Sequence, residues 1–219
     1  MPFVNRTEAG RKLAKALATY ESELPIVMAL PRGGVPVAAE VAQALHAPLD
    51  LILVRKIGVP AQPELAMGAV VDGPAPVTIR NEEIIRLCGV TEDEFAAVRT
   101  KELSEIERRR RLYMANRPHP DVTDKTVIVV DDGIATGATT RAALQALRLR
   151  KAGKIVLAVP VAPTDTLHKL RDDADEIVRL EDHLNFGAIG IYYADFRQLS
   201  DADVIALLDR TNTRSTRTP

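Results

Sequence analysis

The chain has 219 residues, 46% of them hydrophobic and 27% charged, with a formal net charge of −1. That composition supplies a core for one globular domain and argues against intrinsic disorder, while the near-zero charge offers no global attraction to nucleic acid. No apolar run approaches the roughly 20 residues of a membrane span, and residues 1–12 lack the apolar stretch of a secretory leader, so a cytoplasmic protein without membrane partners is expected.

In chain order, residues 6–20 read as a leading amphipathic helix and residues 26–30 as an apolar strand. Pro31, Arg32, Gly33, Gly34 and Val35 follow as a loop, then a helix with Pro36 in its first turn. Residues 51–54 form the next apolar strand, with Arg55 and Lys56 at its carboxyl end. Those two cations either face a phosphate group, for which arginine gives bidentate contact and lysine a compact charge, or are a solvated pair at a strand end. Residues 57–63, with Gly58, Pro60 and Pro63, read as a hinged loop without regular structure, and residues 65–71 as a strand.

Residues 81–117 read as helical and too long for a connection, hence as an insertion. Four consecutive arginines, residues 108–111, spread over all faces of such a helix. Glu105 with Arg109 and Glu107 with Arg111 form i,i+4 pairs of the favourable sense, which predicts a solvated face or subunit contact and argues against a nucleic-acid partner. Cys88, the single cysteine, is expected to be a small core residue in a reducing compartment. The four histidines are scattered without partners at ligand spacing, so bound zinc is not expected.

Residues 127–140 are the most informative. A short branched run, Val127 to Val130, suits a central parallel strand covered on both faces. It delivers Asp131 and Asp132 to its carboxyl end, where ligands collect in open α/β sheets. Gly133, Ile134, Ala135, Thr136, Gly137, Ala138, Thr139 and Thr140 then form a small-residue loop at the start of a helix, whose free amides and positive end make an anion pocket. A Walker loop is excluded by the absence of Gly-Lys-Ser/Thr. A receiver domain is excluded because more than half the chain precedes the acids. Together the loop and acids ask for a phosphate beside hydroxyls or a metal, and a sugar phosphate meets both demands.

Strands near residues 154–160 and 176–180, separated by a helix near 165–173, complete an alternating pattern that implies an α/β fold with an open, mainly parallel sheet flanked by helices. Residues 181–197 hold four of the eight aromatic residues: Phe186, Tyr192, Tyr193 and Phe196. They either stack on a flat heterocycle, its edge read by Asp195 or backbone carbonyls, or fill a small core of their own. Residues 1–209 are expected to form one domain. The polar tail, residues 210–219, is expected to be disordered.

The apolar strand, acidic pair and Thr-Gly-x-Thr loop closely resemble the 5-phosphoribosyl-1-pyrophosphate (PRPP) signature of the type I phosphoribosyltransferases, and the Leu-Pro-Arg-Gly-Gly segment resembles their pyrophosphate loop. The whole pattern is similar to a bacterial group of predicted phosphoribosyltransferases. That resemblance implies the family fold, with a helical insertion over residues 81–117 and a hood over residues 181–197, and a non-proline cis peptide beside Arg32. It implies that Asp131 and Asp132 hold the ribose hydroxyls, Asp132 doubling as a proton acceptor, while residues 133–140 wrap the 5-phosphate. Arg32, Gly33, Gly34, Arg55 and Lys56 then receive the diphosphate. Phe186, Tyr192, Tyr193 and Asp195 meet the base. A magnesium ion is implied at Asp131 and Asp132, held largely through substrate and water. The implied activity is transfer of the phosphoribosyl group of PRPP to a nitrogenous base in nucleotide salvage, by a homodimer. The alternative is a PRPP- or nucleotide-sensing regulator on the same scaffold, with the arginine helix as contact surface.

Overall fold

The computed structural model of the protein describes residues 1–115 and 117–215. Its centre is a sheet of five parallel strands: β1 (Ile26–Ala29), β2 (Leu49–Leu51), β6 (Thr126–Val130), β7 (Lys154–Pro163) and β8 (Glu176–His183), in the order β2-β1-β6-β7-β8. The branched runs are strands because both faces are covered. Ile128 and Val130 face one core, with α1 (Arg6–Ala16) and α2 (Gly34–Ala44). Val127 and Val129 face the other, with α5 (Ala138–Leu149) and α6 (Thr164–Leu170). The open, mainly parallel α/β sheet is the expected one.

Strand order reverses between β1 and β6: the chain passes from β1 to β2 on one side and returns to β6 on the other. Such a reversal opens a crevice at the carboxyl ends of the two strands. Both sequence-derived loops, residues 31–35 and 131–140, lie there.

A second, antiparallel sheet of β3 (Val54–Val59), β4 (Gln62–Val71) and β5 (Val77–Arg80) forms a wing. It is held between α5 on one face and, on the other, α4 (Glu92–Met114), which follows the short α3 (Glu82–Leu87). Three expectations change here. The apolar quartet 51–54 is not one strand but the crossing between two sheets, because Ile52 and Leu53 are buried at the junction. Residues 57–63 are a β-hairpin rather than an irregular loop, as Ile57, Gly58 and Val59 pair with β4. Gly58 is required there, since an added Cβ would meet the Pro63 carbonyl oxygen at 2.3 Å. Cys88 is exposed at the end of α3, not in the core.

The insertion is helical as read, with α4 opened by a Thr91–Glu94 capping box. Its basic run is not uniformly solvated. Arg108 and Arg109 bond Glu105, Arg111 lies 3.8 Å from Glu107, but Arg110 is buried and bidentate on Asp50 of β2, at 2.8 and 3.0 Å. Every arginine of the run therefore has a carboxylate partner. The expected disordered tail is corrected as well: residues 210–215 continue α7 (Asp201–Ser215), while residues 216–219 of that expectation lie outside the described residues. No helix among the described residues is long and apolar enough to cross a membrane.

Candidate functional site

Two loops separated by about a hundred residues of chain meet at the crevice. The peptide from Pro31 to Arg32 is cis, as expected beside Arg32. Gly33 and Gly34, next in the chain, lie against the end of β6. A Cβ on Gly33 would lie 2.2 Å from Oδ2 of Asp132, and one on Gly34 would lie 2.6 Å from the Val130 carbonyl oxygen and 3.3 Å from Oδ1 of Asp131. Only glycines permit this approach.

The acidic pair is asymmetric. Asp131 is half-buried and accepts from the Asp132 amide at 2.9 Å. Burial, then the neighbouring Asp132, push its carboxyl well above the usual carboxylate range. Asp132 is buried and ion-paired: Nε of Arg6, from the first turn of α1, donates to its Oδ2 at 2.7 Å. The Tyr193 hydroxyl donates to the Asp132 carbonyl at 2.5 Å. With its carboxylate already held by a cation, Asp132 is poorly placed as the proton acceptor expected of it, and Asp131 is the less encumbered of the two.

Beyond the acids, the Ile134 amide donates to Val161 and the Thr166 hydroxyl to the Ala135 carbonyl, which pins the loop to β7 and α6. Gly137 has φ +76°, a conformation that favours glycine, and it precedes α5 without any side-chain cap. The first amides of α5 are thus free for an anion. Ala135, Thr136, Ala138 and Thr139 are exposed, whereas the side chains of Ile134 and Thr140 are buried, so within residues 133–140 the exposed hydroxyls are those of Thr136 and Thr139.

The other expected site residues divide. Lys56 lines one groove of about 290 Å³ with Thr136, Gly137, Ala138 and Thr139, so the structure brings it to the loop. Its Nζ also lies 3.2 Å from Glu64 across the hairpin. Arg55, on the opposite face of β3, is turned away and bonded to Glu102 of α4 at 2.7 Å. Arg32 is likewise directed elsewhere, donating to the Leu199 carbonyl at 3.0 Å and lying 3.1 Å from Asp201 of α7.

The hood aromatics form a graded stack. Phe186 lies on Tyr192 with ring centroids 4.9 Å apart, and Tyr192 on His183 at 4.6 Å. Both Phe186 and Tyr192 are half-exposed. Tyr193 is buried against Phe3 and Phe196. It supports Asp132 and has no free face for a ligand, which corrects its expected role. Asp195 pairs with Arg197 at 3.1 Å. Sequence reasoning missed Arg6 and Ile189. Ile189 packs where a Cβ on Gly133 would meet it at 2.7 Å, so the hood rests directly on the acidic loop. Neither carries a local signal: Arg6 reads as one more charge on an amphipathic helix. No group of three or more metal-ligating side chains occurs among the described residues.

Comparison with known proteins places this geometry. The profile of the phosphoribosyl transferase domain family matches residues 5–195. A protein of Mycobacterium tuberculosis strain H37Rv, provisionally named phosphoribosyl transferase Rv0571c, is 45% identical over 210 residues, covering 96% of this chain and 47% of the relative. The chain thus spans about half the length of the curated relatives it matches. The crystal structure of TT1426 from Thermus thermophilus is similar at 40% identity with a TM-score of 0.78, covering 95% of this chain and 98% of that one.

Proposed function

Because the chain belongs to the phosphoribosyl transferase domain family, we propose that it transfers the 5-phosphoribosyl group of PRPP to a nitrogenous base, releasing pyrophosphate, as a cytoplasmic homodimer in nucleotide salvage. The observation that carries this reading is the packing of Gly33 and Gly34 against Asp131 and Asp132 at the switch point, beside an uncapped helix start. One ligand reaching all three needs vicinal hydroxyls, a terminal phosphate and a diphosphate. PRPP has all three.

In the proposed reaction the bond from ribose C1 to the diphosphate oxygen breaks, a C1–N bond forms, and the nitrogen gives its proton to the Asp131 carboxylate. Positive charge builds on the ring, so catalysis rests on positioning and charge control. Asp131 and Asp132 orient the hydroxyls and offset that charge. The α5 amides, Thr136 and Thr139 receive the 5-phosphate, and Lys56 lines the same groove as that loop. Arg32 and Arg55 serve the diphosphate only if their present partners release them. Phe186 and Tyr192 offer the stacking face for the base.

The acids also fit a magnesium ion. Asp131 takes no part in the Arg6–Asp132 ion pair, and adjacent carboxylates suit a hard ion that keeps most of its waters. Such an ion would neutralise the departing diphosphate. Incubation with PRPP, magnesium and a panel of free purines and pyrimidines, with diphosphate release as readout, tests the proposal. Release with one base supports it, and silence with every base counts against it.

A further inference from the structure

Arg6 makes three contacts that join separate parts of the molecule. Its Nε holds Oδ2 of Asp132 at 2.7 Å, its Nη1 donates to the Arg197 carbonyl at 3.0 Å, and its guanidinium carbon lies 3.9 Å from the centre of the Phe196 ring. The Arg6 and Asp132 side chains are only 11% and 9% exposed. The backbone that carries Arg6 is itself sewn to the hood: Phe3 donates to Tyr192, Ala194 to Phe3, and Asp195 to Val4. Asn5 then caps α1 by accepting from the Glu8 amide, which fixes where Arg6 leaves the helix.

Building on the donor reading above, we propose that Arg6 is a positioning residue for ribose recognition: it fixes the Asp132 carboxylate and ties it to the hood while touching neither substrate itself. The carboxylate lies against Gly33 with Oδ2 engaged by Arg6, and in this assignment Oδ1 accepts from a sugar hydroxyl. Removing the guanidinium leaves a buried anion without a counter-charge, a state that proteins avoid by neutralising or displacing the group. In either case the hydroxyl acceptor is lost. Arginine is suited to the place because its plane stacks on Phe196 while its fork bonds sideways, and lysine can do only part of this.

The test is calorimetric titration, at millimolar magnesium, with ribose 5-phosphate and with 2-deoxyribose 5-phosphate, which keeps the phosphate and loses one hydroxyl. The unsubstituted protein is expected to prefer the ribose form. In Arg6→Gln that affinity falls about tenfold, equal to one lost hydrogen bond to a charged group, while the deoxy sugar is barely affected and the preference disappears. Arg6→Lys restores part of the preference. General structural damage would weaken both sugars alike. An Arg6→Gln variant that keeps the full preference overturns the assignment. Failure of the unsubstituted protein to bind either sugar phosphate overturns the donor reading, and this proposal with it. If Arg6→Gln does not fold, Phe196→Leu removes the stacking partner and spares the ion pair. A reduced ribose preference then supports the link to the hood, and an unchanged one overturns it.

Discussion

Gly33 and Asp132 interlock: a methyl group on the first would occupy space within 2.2 Å of the carboxylate of the second. The obstructing atoms belong to a side chain, yet Arg6 holds that side chain from the other side, so it cannot swing away freely. Gly33→Ala is therefore expected to cost about 1–3 kcal/mol of stability, typical of overpacking. It should weaken PRPP binding at least tenfold. Urea denaturation and calorimetry on the same preparation check both; a variant with unaltered PRPP affinity would show that the loops do not cooperate.

The two acids are expected to respond differently to amide substitution. Asp131→Asn removes a carboxylate that takes no part in the Arg6 ion pair and should leave the melting temperature within a few degrees while transfer drops about 100-fold, the scale of one lost catalytic group. Asp132→Asn also strips Arg6 of its counter-charge, and breaking a buried pair from one side costs about 3–5 kcal/mol. Thermal melts beside diphosphate-release assays separate the two.

Arg110 should stand apart from its neighbours in the basic run. Arg110→Met leaves Asp50 and Asp72 buried without their cation, an expected loss of about 3–5 kcal/mol in chemical denaturation. Arg111, three-quarters exposed, should tolerate alanine within about 0.5 kcal/mol. Equal effects at the two positions would contradict the buried ion pair.

Asp72 gives the fold a pH dependence. Burial raises its carboxyl to about 7, against the opposing effects of the Leu53 amide and Arg110. An acid whose folded-state value is raised binds its proton more tightly in the native protein, so its contribution is fully present below about pH 4 and is lost as pH rises toward 7, a change of about 4 kcal/mol. Asp72→Asn should flatten that slope and raise stability at pH 8. Denaturation midpoints at pH 5 and pH 8 provide the measurement, and a variant less stable at pH 8 would refute the assignment.

Tyr193 and Tyr192, adjacent in sequence, are expected to fail in different ways. Tyr193→Phe removes the donor to the Asp132 carbonyl and should cost about 1–2 kcal/mol, visible in thermal melts. Tyr192→Ala should keep the fold and raise the KM for the base. A stability loss at Tyr192 without a change in KM would assign the outer stack to hood packing alone.

Much of this arrangement was legible in the chain. Val127 to Val130 reads as a buried parallel strand because its branched residues are continuous, and the glycines at 33, 34 and 137 mark close approach and left-handed backbone. The wing was harder to read. Its β3 continues an apolar run that starts in another sheet, and periodicity cannot show where one sheet hands over to the next. Arg55 and Lys56 look alike in sequence, yet alternation along β3 turns one to α4 and the other to the loop that opens α5. Arg6 and Arg110 show the same limit: each partner is distant in the chain, so neither contact leaves a local trace.

Because β6 slots between β1 and β7, no chain shorter than about 130 residues can cover the open edge of β1. Until then the hydrogen-bonding edge of β1 that β6 will cover, on a strand composed of Ile26, Val27, Met28 and Ala29, has no native neighbour, and an open apolar edge invites pairing with other chains. The risk during synthesis is thus concentrated in the interval before residues 126–130 leave the ribosome, and the segment that ends it is also the one that brings the two acids into register.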